Sequence, residues 1–361
     1  MNKITFCIPC KNNLRYIKHA IRSIRETSCV KHDIIVFLDD DSDHASDWLT
    51  RNDVKYLKNP NSEPMGIAYG YNRCIENAKT DIICAFHADM IMGENFESNT
   101  LKHLIPNSVV SGTRIEPPLH PPGKEKIVMD FGMYPEDFKE DEFDAFVNSA
   151  SITYKDQTTR GIFAPWMCFK KDIINIGMHD ERFHSYHEDT DIFQRFILNN
   201  MKIIQSRDAF VYHLTCRGGQ FQDGIEKVTT DPKFHSMKDL SFKLFIRKWG
   251  NSIRNDEYAY PIVAHKYDIG FVATNSTQHL LAILEPWCST LYADINSEKT
   301  NDILVWFDCN KLTNTNIQFL FNTLPDVIFD TNDVGTFELD IFKIEIRNLR
   351  LLNNNLIHVE N

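Results

Sequence analysis

The feature that most constrains the fold is a regular alternation of short apolar runs with amphipathic helical segments. Residues 4–8 (ITFCI) form an apolar run typical of a buried strand, and Leu14, Ile17 and Ile21 then recur at helical spacing. Further strands are predicted at 34–38, 55–57 and 82–86, and a second helix at 66–78. This alternation predicts an α/β fold with a mostly parallel, Rossmann-like sheet and helices on both faces.

Acidic residues follow two of these predicted strands directly. Asp39 and Asp41 come after the strand at 34–38, and Asp89 comes after the strand at 82–86 in the sequence His87-Ala88-Asp89. Ligands of such sheets bind beyond the carboxyl ends of the strands, so both groups are placed where a ligand would lie. A carboxylate at that edge can hold a divalent cation.

The remaining chain divides into an insertion and a second domain. Residues 114–160 are Pro-rich and acidic, which indicates a solvated insertion with one short amphipathic helix. A strand is predicted at 163–169, and a helix is predicted to start near Asp189. Residues 211–213 are predicted to end a further strand. A polar stretch after residue 250 suggests a linker between domains 1–250 and 255–361. The second, smaller domain repeats the α/β pattern, with strands at 269–273, 289–292, 303–307 and 327–329 and helices after the first and third.

Composition limits the partners and the compartment. The chain has 361 residues, 42% of them hydrophobic and 25% charged, which is ordinary for a soluble protein of two domains. A formal net charge of -11 and the lack of a basic block argue against nucleic acid as a partner. No apolar run reaches the length of a signal-peptide core or a membrane span, so we expect a cytoplasmic protein without a transmembrane segment. The nine scattered cysteines fit reduced thiols.

Cys7 and Cys10 have the spacing of a redox or metal-binding pair. Cys7 lies inside the first predicted strand, however, and a thioredoxin-like site needs a strand and a helix before its pair. A zinc site would need a second pair with suitable spacing, which the sequence does not offer. We therefore favour core packing, in which a buried thiol is inert.

The acidic run FLDDDSD allows more than one interpretation. The alternation of Asp39, Asp41 and Asp43 matches the start of an EF-hand loop, but His44 stands where that loop needs Gly and Thr50 where it needs Glu. The run also resembles the nucleophile strand of haloacid dehalogenase-type phosphatases, although Asp43 occupies a position where that family has Thr or Val. A solvated turn is the third interpretation.

The segment GMHDERFHSYHEDTDIFQRF contains a further acidic pair. Glu188 and Asp189 fall at a predicted helix start, where simple capping would explain them. They also follow an aromatic, histidine-rich turn, which suits a general base on the wall of a cleft. His184 and His187 do not match the zinc-protease pattern His-Glu-x-x-His.

Taken together, these segments resemble glycosyltransferase family 2, whose members are nucleotide-sugar-dependent enzymes with the GT-A fold. The resemblance runs over about residues 4–250. It rests on five segments in order: ITFCIPCKNNLRYIKHAIRSI, IIVFLDDDSD, GIAYGYNRCIENAKTDIICAFHAD, GMHDERFHSYHEDTDIFQRF and VYHLTCRGG.

The resemblance implies a nucleotide pocket at the first three segments. Seven residues would line it: Pro9, Cys10, Asp39, Asp41, Gly66, Asn72 and His87. Asp39 would contact the base or ribose, with Asp41 as a helper. Cys10 stands where the family usually has a small or polar residue. His87 replaces the first acid of the family's Asp-x-Asp motif, which leaves it as a neutral hydrogen-bonding partner.

The resemblance also implies a metal and an inverting mechanism. Asp89 and His213 would coordinate a divalent cation, Mn²⁺ or Mg²⁺. Asp189, with Glu188 as the second choice, would take the proton from the acceptor hydroxyl. Trp166 would stack on the acceptor sugar, with core packing as the alternative, and Arg217 would close over the diphosphate.

Donor and acceptor are implied only by class. UDP-sugars are the commonest donors of the family, and the acceptor would be a glycan, a lipid-linked molecule or a protein. For residues 255–361 we expect acceptor docking or homo-oligomer formation. Two alternatives stay open: a dehalogenase-type phosphatase with Asp39 as nucleophile, and a non-catalytic protein that binds nucleotide or carbohydrate. A nucleotidyltransferase is disfavoured because CKNNLR, rather than a Gly-rich loop, follows the first strand.

Overall fold

The computed structural model describes residues 3–222, 224–226, 229–266, 268–273, 277–294, 304–307, 327–330, 337–340 and 343–346. These residues belong to two compact units. The first unit contains residues 1–241 and 255–262, and the second contains residues 242–254 and 263–361. The predicted boundary near 250–255 lies in the stretch where the chain crosses between the units.

The first unit contains ten strands of the described chain in one sheet. They are β1 (Ile4–Lys11), β2 (Asp33–Asp40), β3 (Lys55–Lys58), β4 (Ile82–Ala85), β5 (Met90–Met92), β6 (Ser108–Glu116), β7 (Lys126–Val128), β8 (Thr158–Thr159), β9 (Trp166–Phe169) and β10 (Lys202–His213). Its helices are α1 (Leu14–Thr27), α2 (Ala45–Arg51), α3 (Ile67–Asn77), α4 (Phe96–Leu101), α5 (Glu140–Thr153), α6 (Lys170–Asn175) and α7 (Glu188–Leu198), with a short 3-10 helix at Pro135–Asp137.

The order of the main strands is β3-β2-β1-β4-β9-β6-β10-β5. The pairs β1/β2, β2/β3, β1/β4 and β6/β10 are parallel, which confirms the predicted mostly parallel sheet. β9 runs antiparallel to both of its neighbours, and β5 pairs antiparallel with β10 at the edge. The carboxyl ends of β1, β2, β4, β6 and β10 therefore face the same side of the sheet.

The core forms where α1 and α3 cover the sheet. Ile17, Ile21 and Ile24 of α1 are buried, as their helical spacing predicts. Cys7 of β1 is fully buried as well, and burial raises the pKa of its thiol well above the usual value. Burial likewise raises the pKa of Cys10 to about 12. The core-packing interpretation of this pair is confirmed, and the eight cysteines of the described chain are free.

The predicted insertion is solvated in one part and buried in another. The acidic residues at the start of α5 are exposed, as expected. Residues 114–116, however, complete β6, a strand in which all nine residues are buried. The prediction that the charge of this region is solvated is therefore wrong for Arg114, Glu116 and Glu125, which are buried.

The second unit also has an α/β pattern. After α8 (Pro232–Trp249), whose last residues belong to it, come β11 (Ile269–Ala273), α9 (Gln278–Leu284), a 3-10 helix at Glu285–Trp287, β12 (Thr290–Asp294), β13 (Leu304–Phe307) and β14 (Val327–Asp330). These four strands are parallel in the order β13-β12-β11-β14. β15 (Phe337–Asp340) and β16 (Lys343–Ile346) form a separate antiparallel pair. The helix predicted after residue 307 lies outside the described residues.

No helix in the described ranges combines the length and apolar character that crossing a bilayer requires.

Candidate active site

Three potential metal ligands meet at the carboxyl edge of the large sheet. His87 and Asp89 follow β4, and His213 ends β10. Each offers one ligand atom, and these atoms lie within 4.8 Å of one another. Asp89 and His213 were predicted as metal ligands, whereas His87 was predicted to contact the nucleotide. The structure brings all three together because β5 runs back beside β10, which places its preceding turn near His213.

Asp89 is held by two partners. Its Oδ1 lies 3.4 Å from His213 Nε2, and its Oδ2 accepts a hydrogen bond from the backbone N–H of Arg217 at 3.1 Å. Burial alone would raise the pKa of Asp89, but the adjacent imidazole of His213 outweighs it and holds the pKa well below the usual range. The side chain is therefore a carboxylate at any physiological pH, the form in which it can bind a cation.

The two histidines differ in protonation. Burial lowers the pKa of His87 to about 4, with the nearby His213 as the next cause, so His87 is neutral. Burial also lowers the pKa of His213, but the carboxylates of Asp89 and Glu116 outweigh it and raise that pKa. Neutral imidazole is the form that ligates metals, so a cation would bind here in place of the His213 proton.

Glu116 links His213 to a buried ionic cluster. Its Oε1 lies 2.9 Å from His213 Nδ1 and 2.7 Å from Arg114 Nη1, and its Oε2 accepts from Lys126 Nζ at 2.8 Å. Burial raises the pKa of Glu116, but Arg114 and the other cationic neighbours lower it far below its usual value. The sequence analysis missed Glu116, Arg114 and Lys126. Glu116 ends a strand at the same sheet edge as Asp89 and His213, which is the signal that would have identified it.

Glu188 and Asp189 open α7 after a strained turn. Tyr186 and His187 both have positive φ angles, 67° and 70°, a conformation that non-glycine residues adopt rarely and that clusters at functional sites. Asp189 Oδ1 accepts from the N–H of Thr190 at 2.6 Å. Burial raises the pKa of Asp189 and, together with the Asp189 charge, raises that of Glu188 to about 8. A raised pKa in a carboxyl group suits a general base.

Asp39 is engaged by the loop before α3. Its carboxylate accepts hydrogen bonds from the N–H groups of Met65 and Gly66 at 2.7 and 2.9 Å and from Asn59 Nδ2 at 3.1 Å. These bonds fix the loop at the carboxyl end of β2. Asp39 therefore shapes the wall of the predicted nucleotide pocket through the backbone it holds.

Gly66 and Asn72 anchor the segment that precedes α7. Gly66 has φ +91°, and a Cβ atom there would lie 2.0 Å from the carbonyl oxygen of His184. The N–H of Ile67 donates to that same oxygen at 3.0 Å. Asn72 is buried, and its amide donates to the His179 carbonyl and accepts from the His179 N–H, both at 2.9 Å. α3 thus holds residues 179–184 through contacts with the backbone of His179 and His184.

The other predicted pocket residues have mainly structural contacts. Asp41 accepts from Ser46 N and Oγ at 2.9 and 2.6 Å and from Lys58 Nζ at 2.8 Å, which caps α2. Pro9 lies against Gly70 of α3: a Cβ atom added to Gly70 would lie 3.0 Å from the Cβ of Pro9. Cys10 is only 3% exposed. Of the seven residues implied for this pocket, His87 is the one the structure joins to the metal ligands.

Trp166 and Arg217 have contrasting surroundings. Trp166 is 2% exposed, stacks on His179 and meets Phe196 edge to face, which favours the core-packing alternative. Arg217 is 3% exposed, and its guanidinium lies 5.8 and 5.3 Å from the ring centroids of Tyr16 and Tyr134. Its Nη2 donates to the Met133 carbonyl at 2.5 Å, while Nε and Nη1 have no hydrogen-bond partner among the described residues. Buried guanidinium donors without partners suit an anionic ligand.

The first unit matches a known family model. Residues 5–151 match the model described as Glycosyl transferase family 2. A curated protein named "Uncharacterized protein MT1568", from Mycobacterium tuberculosis (strain CDC 1551 / Oshkosh), is 36% identical over 90 residues. That alignment covers 24% of this chain and 27% of the relative, so the chain matches only about a quarter of the curated relative's length.

Two solved structures are similar to part of this chain. The structure described as GalNAc-T7 with UDP, GalNAc and Mn²⁺ is 11% identical at a TM-score of 0.44, over 59% of this chain and 44% of that chain. S. aureus TarS 1–349 in complex with UDP is 13% identical at a TM-score of 0.40, over 68% of this chain and 65% of that chain.

Proposed function

We propose that this chain, whose residues 5–151 match the model of Glycosyl transferase family 2, is a metal-dependent, inverting glycosyltransferase. It would move a sugar from a nucleotide-diphosphate sugar to an acceptor hydroxyl. The observation that carries the proposal is the convergence of His87, Asp89 and His213 at the carboxyl edge of the sheet. Glu188 and Asp189, whose pKa values are raised, belong to the same unit.

Asp189 acts as the general base in this proposal. A hydroxyl is a poor nucleophile until its proton is taken, and a buried carboxylate with a raised pKa accepts that proton more readily than an exposed one. Asp189 would hold the acceptor hydroxyl and receive its proton as the oxygen attacks the anomeric carbon. A single in-line displacement of this kind inverts the anomeric configuration.

The donor set fits a divalent cation of the Mn²⁺ type. Two imidazoles and one carboxylate form a mixed nitrogen and oxygen set, which suits a first-row transition metal better than Mg²⁺, and Mn²⁺ is the ion of that series that we test first. His87, Asp89 and His213 would hold the ion. When bound, such a cation offsets the charge that develops on the departing nucleoside diphosphate. The unpartnered Nε and Nη1 groups of Arg217 would contact the same anion.

The donor and the acceptor follow from the family only by class. We take a UDP-sugar as the first donor to test, since these are the commonest donors of the family. The acceptor hydroxyl would belong to a glycan, a lipid-linked molecule or a protein.

Asp39 has little freedom for the phosphatase alternative. A dehalogenase-type nucleophile needs a carboxylate oxygen that can reach phosphate, whereas each oxygen of Asp39 already accepts a backbone N–H of the loop before α3. This arrangement favours a structural role at the nucleotide pocket and supports the transferase.

The first test is the melting temperature of the full chain with UDP, GDP or TDP, each with and without Mn²⁺. A ligand at 100 times its dissociation constant adds about 2.7 kcal/mol to the free energy of unfolding, which is a shift of several degrees. We expect one nucleotide to raise the melting temperature only when Mn²⁺ is present. No shift with any nucleotide would contradict the proposal.

A further inference from the structure

We infer that Glu116 is a positioning residue that fixes His213 for cation binding through the ring nitrogen facing Asp89. The inference rests on the proposed function for the identity of the cation, and it adds a residue that touches neither substrate nor metal. Glu116 ends β6, next to β10, which carries His213.

The two ring nitrogens of His213 face different carboxylates. Nδ1 lies 2.9 Å from Glu116 Oε1, and Nε2 lies 3.4 Å from Asp89 Oδ1. An imidazole that gives one nitrogen to a carboxylate has only the other left for a metal. The contact with Glu116 therefore assigns metal binding to Nε2, the nitrogen beside Asp89. Histidine ligands commonly gain their orientation in this way from an outer carboxylate.

Glu116 is itself held rigidly. Arg114 Nη1 and Lys126 Nζ donate to its two oxygens at 2.7 and 2.8 Å, and its side chain is only 2% exposed. The Arg114 guanidinium lies 3.6 Å from the ring centroid of Phe163, a ring that also borders His87 and His213. With both oxygens committed to these cations and to His213, Glu116 acts as a support for the ligand rather than as a ligand.

Glu125 provides a matched control. It is also a buried carboxylate paired with Arg114, at 3.2 Å, and it lies in the same cluster. Its described contacts do not include His213. Glu116→Gln and Glu125→Gln remove the same charge from the same cluster, so the difference between them reports the contacts of Glu116 with His213 and Lys126.

The experiment measures the affinity of the purified full chain for Mn²⁺ alone, from the electron paramagnetic resonance signal of the free ion. Loss of an outer carboxylate typically lowers metal affinity about 10- to 100-fold. We expect a loss of that size for Glu116→Gln and a loss of about threefold or less for Glu125→Gln. Equal affinities of Glu116→Gln and wild type would overturn the inference.

A second pair of variants keeps the test decisive if Glu116→Gln folds poorly. Glu116→Asp keeps the charge but withdraws the carboxylate from His213, and we expect a measurable loss of Mn²⁺ affinity. In a His213→Asn background, the same substitution should cause no further loss, because the orienting contact is already gone. Additive losses would show a merely structural effect and overturn the inference. If the wild-type chain binds no Mn²⁺, both this inference and the metal in the proposed function fail. If wild type binds Mn²⁺ but the Glu116 substitutions do not weaken binding, only this inference fails.

Discussion

Glu188 and Asp189 are adjacent carboxyl groups with different surroundings. Asp189 accepts hydrogen bonds from Thr190, which favour its ionised form, whereas Oε2 of Glu188 is buried and has no hydrogen-bond partner in the described part of the chain. Burial and the neighbouring Asp189 raise the pKa of Glu188 to about 8, so Glu188 carries its proton at neutral pH. This difference favours Asp189 over Glu188 as the base.

Substitution separates the two roles. We expect Asp189→Asn to lower turnover about 10²- to 10⁴-fold, the usual contribution of a general base, with donor affinity retained. Glu188→Gln resembles the protonated side chain and should keep turnover within about tenfold of wild type at pH 7. Steady-state turnover and nucleotide binding of both variants check this. The reverse order of effects would assign the base to Glu188.

The raised pKa of Glu188 also predicts a pH-dependent stability. Its folded pKa of about 8 exceeds the reference value of 4.5, so the folded state prefers the protonated form. The contribution is present below pH 4.5 and is lost as pH rises towards 8. Gln cannot ionise, so the free energy of unfolding of Glu188→Gln relative to wild type should increase between pH 5 and 8 by an amount on the order of 1–3 kcal/mol, which appears as a rise in relative melting temperature. A difference that stays constant with pH would contradict this.

Residue positions at the site were partly predictable from sequence. Asp89 and His213 end apolar runs, and parallel strands bring such ends to one sheet edge. Glu116 was missed because the strand that it ends, β6, was not predicted, so its place at this sheet edge did not show; its contacts with His213 and Lys126 form across the sheet. Trp166 shows the same limit: an aromatic residue at a strand start fits a sugar platform or the core, and only packing decides.

Helix α3 connects the predicted nucleotide pocket to the start of α7. Asp39 accepts hydrogen bonds from the loop before α3, and Gly66 lies against the His184 carbonyl. The Asn72 amide forms two hydrogen bonds with the backbone of His179. The conformation of residues 179–187 thus depends on α3, and this segment sets the direction of Glu188 and Asp189.

Gly66→Ala tests this dependence against a matched control. Both Gly66 and Gly177 have positive φ, +91° and +87°, but a Cβ at Gly177 meets only Arg195 Nη1 at 3.9 Å. Both changes should cost about 1–2 kcal/mol for the backbone conformation, and Gly66→Ala about 1–3 kcal/mol more for the clash with His184. Melting temperatures and turnover of the two variants are compared. Equal effects would contradict a close contact between α3 and residue 184.

Element identity was predictable, but orientation was not. The apolar runs and helical spacing located β1, β2, β4, α1 and α3 to within a few residues. Nothing in the run at 163–169 indicates that β9 is antiparallel to its neighbours, because strand direction depends on how the chain returns to the sheet. β6 was missed because the charged residues at its end, Arg114 and Glu116, are typical of a solvated segment in the sequence. In the structure they are buried and form an ion pair.

At the scale of the whole molecule, the α/β alternation of both parts was predictable from sequence. The assignment of residues to the two units was less predictable, because residues 242–254 belong to the second unit and residues 255–262 to the first. A polar stretch marks a change in pattern, but tertiary contacts decide which unit each segment joins.

Hydrogen exchange locates ligand binding within the whole chain. With the nucleotide that raises the melting temperature and Mn²⁺, we expect slower amide exchange in peptides covering 86–90, 186–190 and 213–217, because ligand binding suppresses local opening. Peptides covering β11 and α9 should exchange at their unliganded rates. Protection confined to the second unit would place the nucleotide elsewhere and contradict the site.

The most direct test of the central claim is release of nucleoside diphosphate from the matching nucleotide sugar by wild type, Asp189→Asn, Asp89→Asn and Asp39→Asn. The account predicts Mn²⁺-dependent release by wild type. Asp189→Asn should still bind the donor but release nucleoside diphosphate at least about 100-fold more slowly. Asp89→Asn should release it no faster with Mn²⁺ than without it. Wild-type rates in Asp189→Asn would contradict the account, as would release of inorganic phosphate that disappears in Asp39→Asn alone.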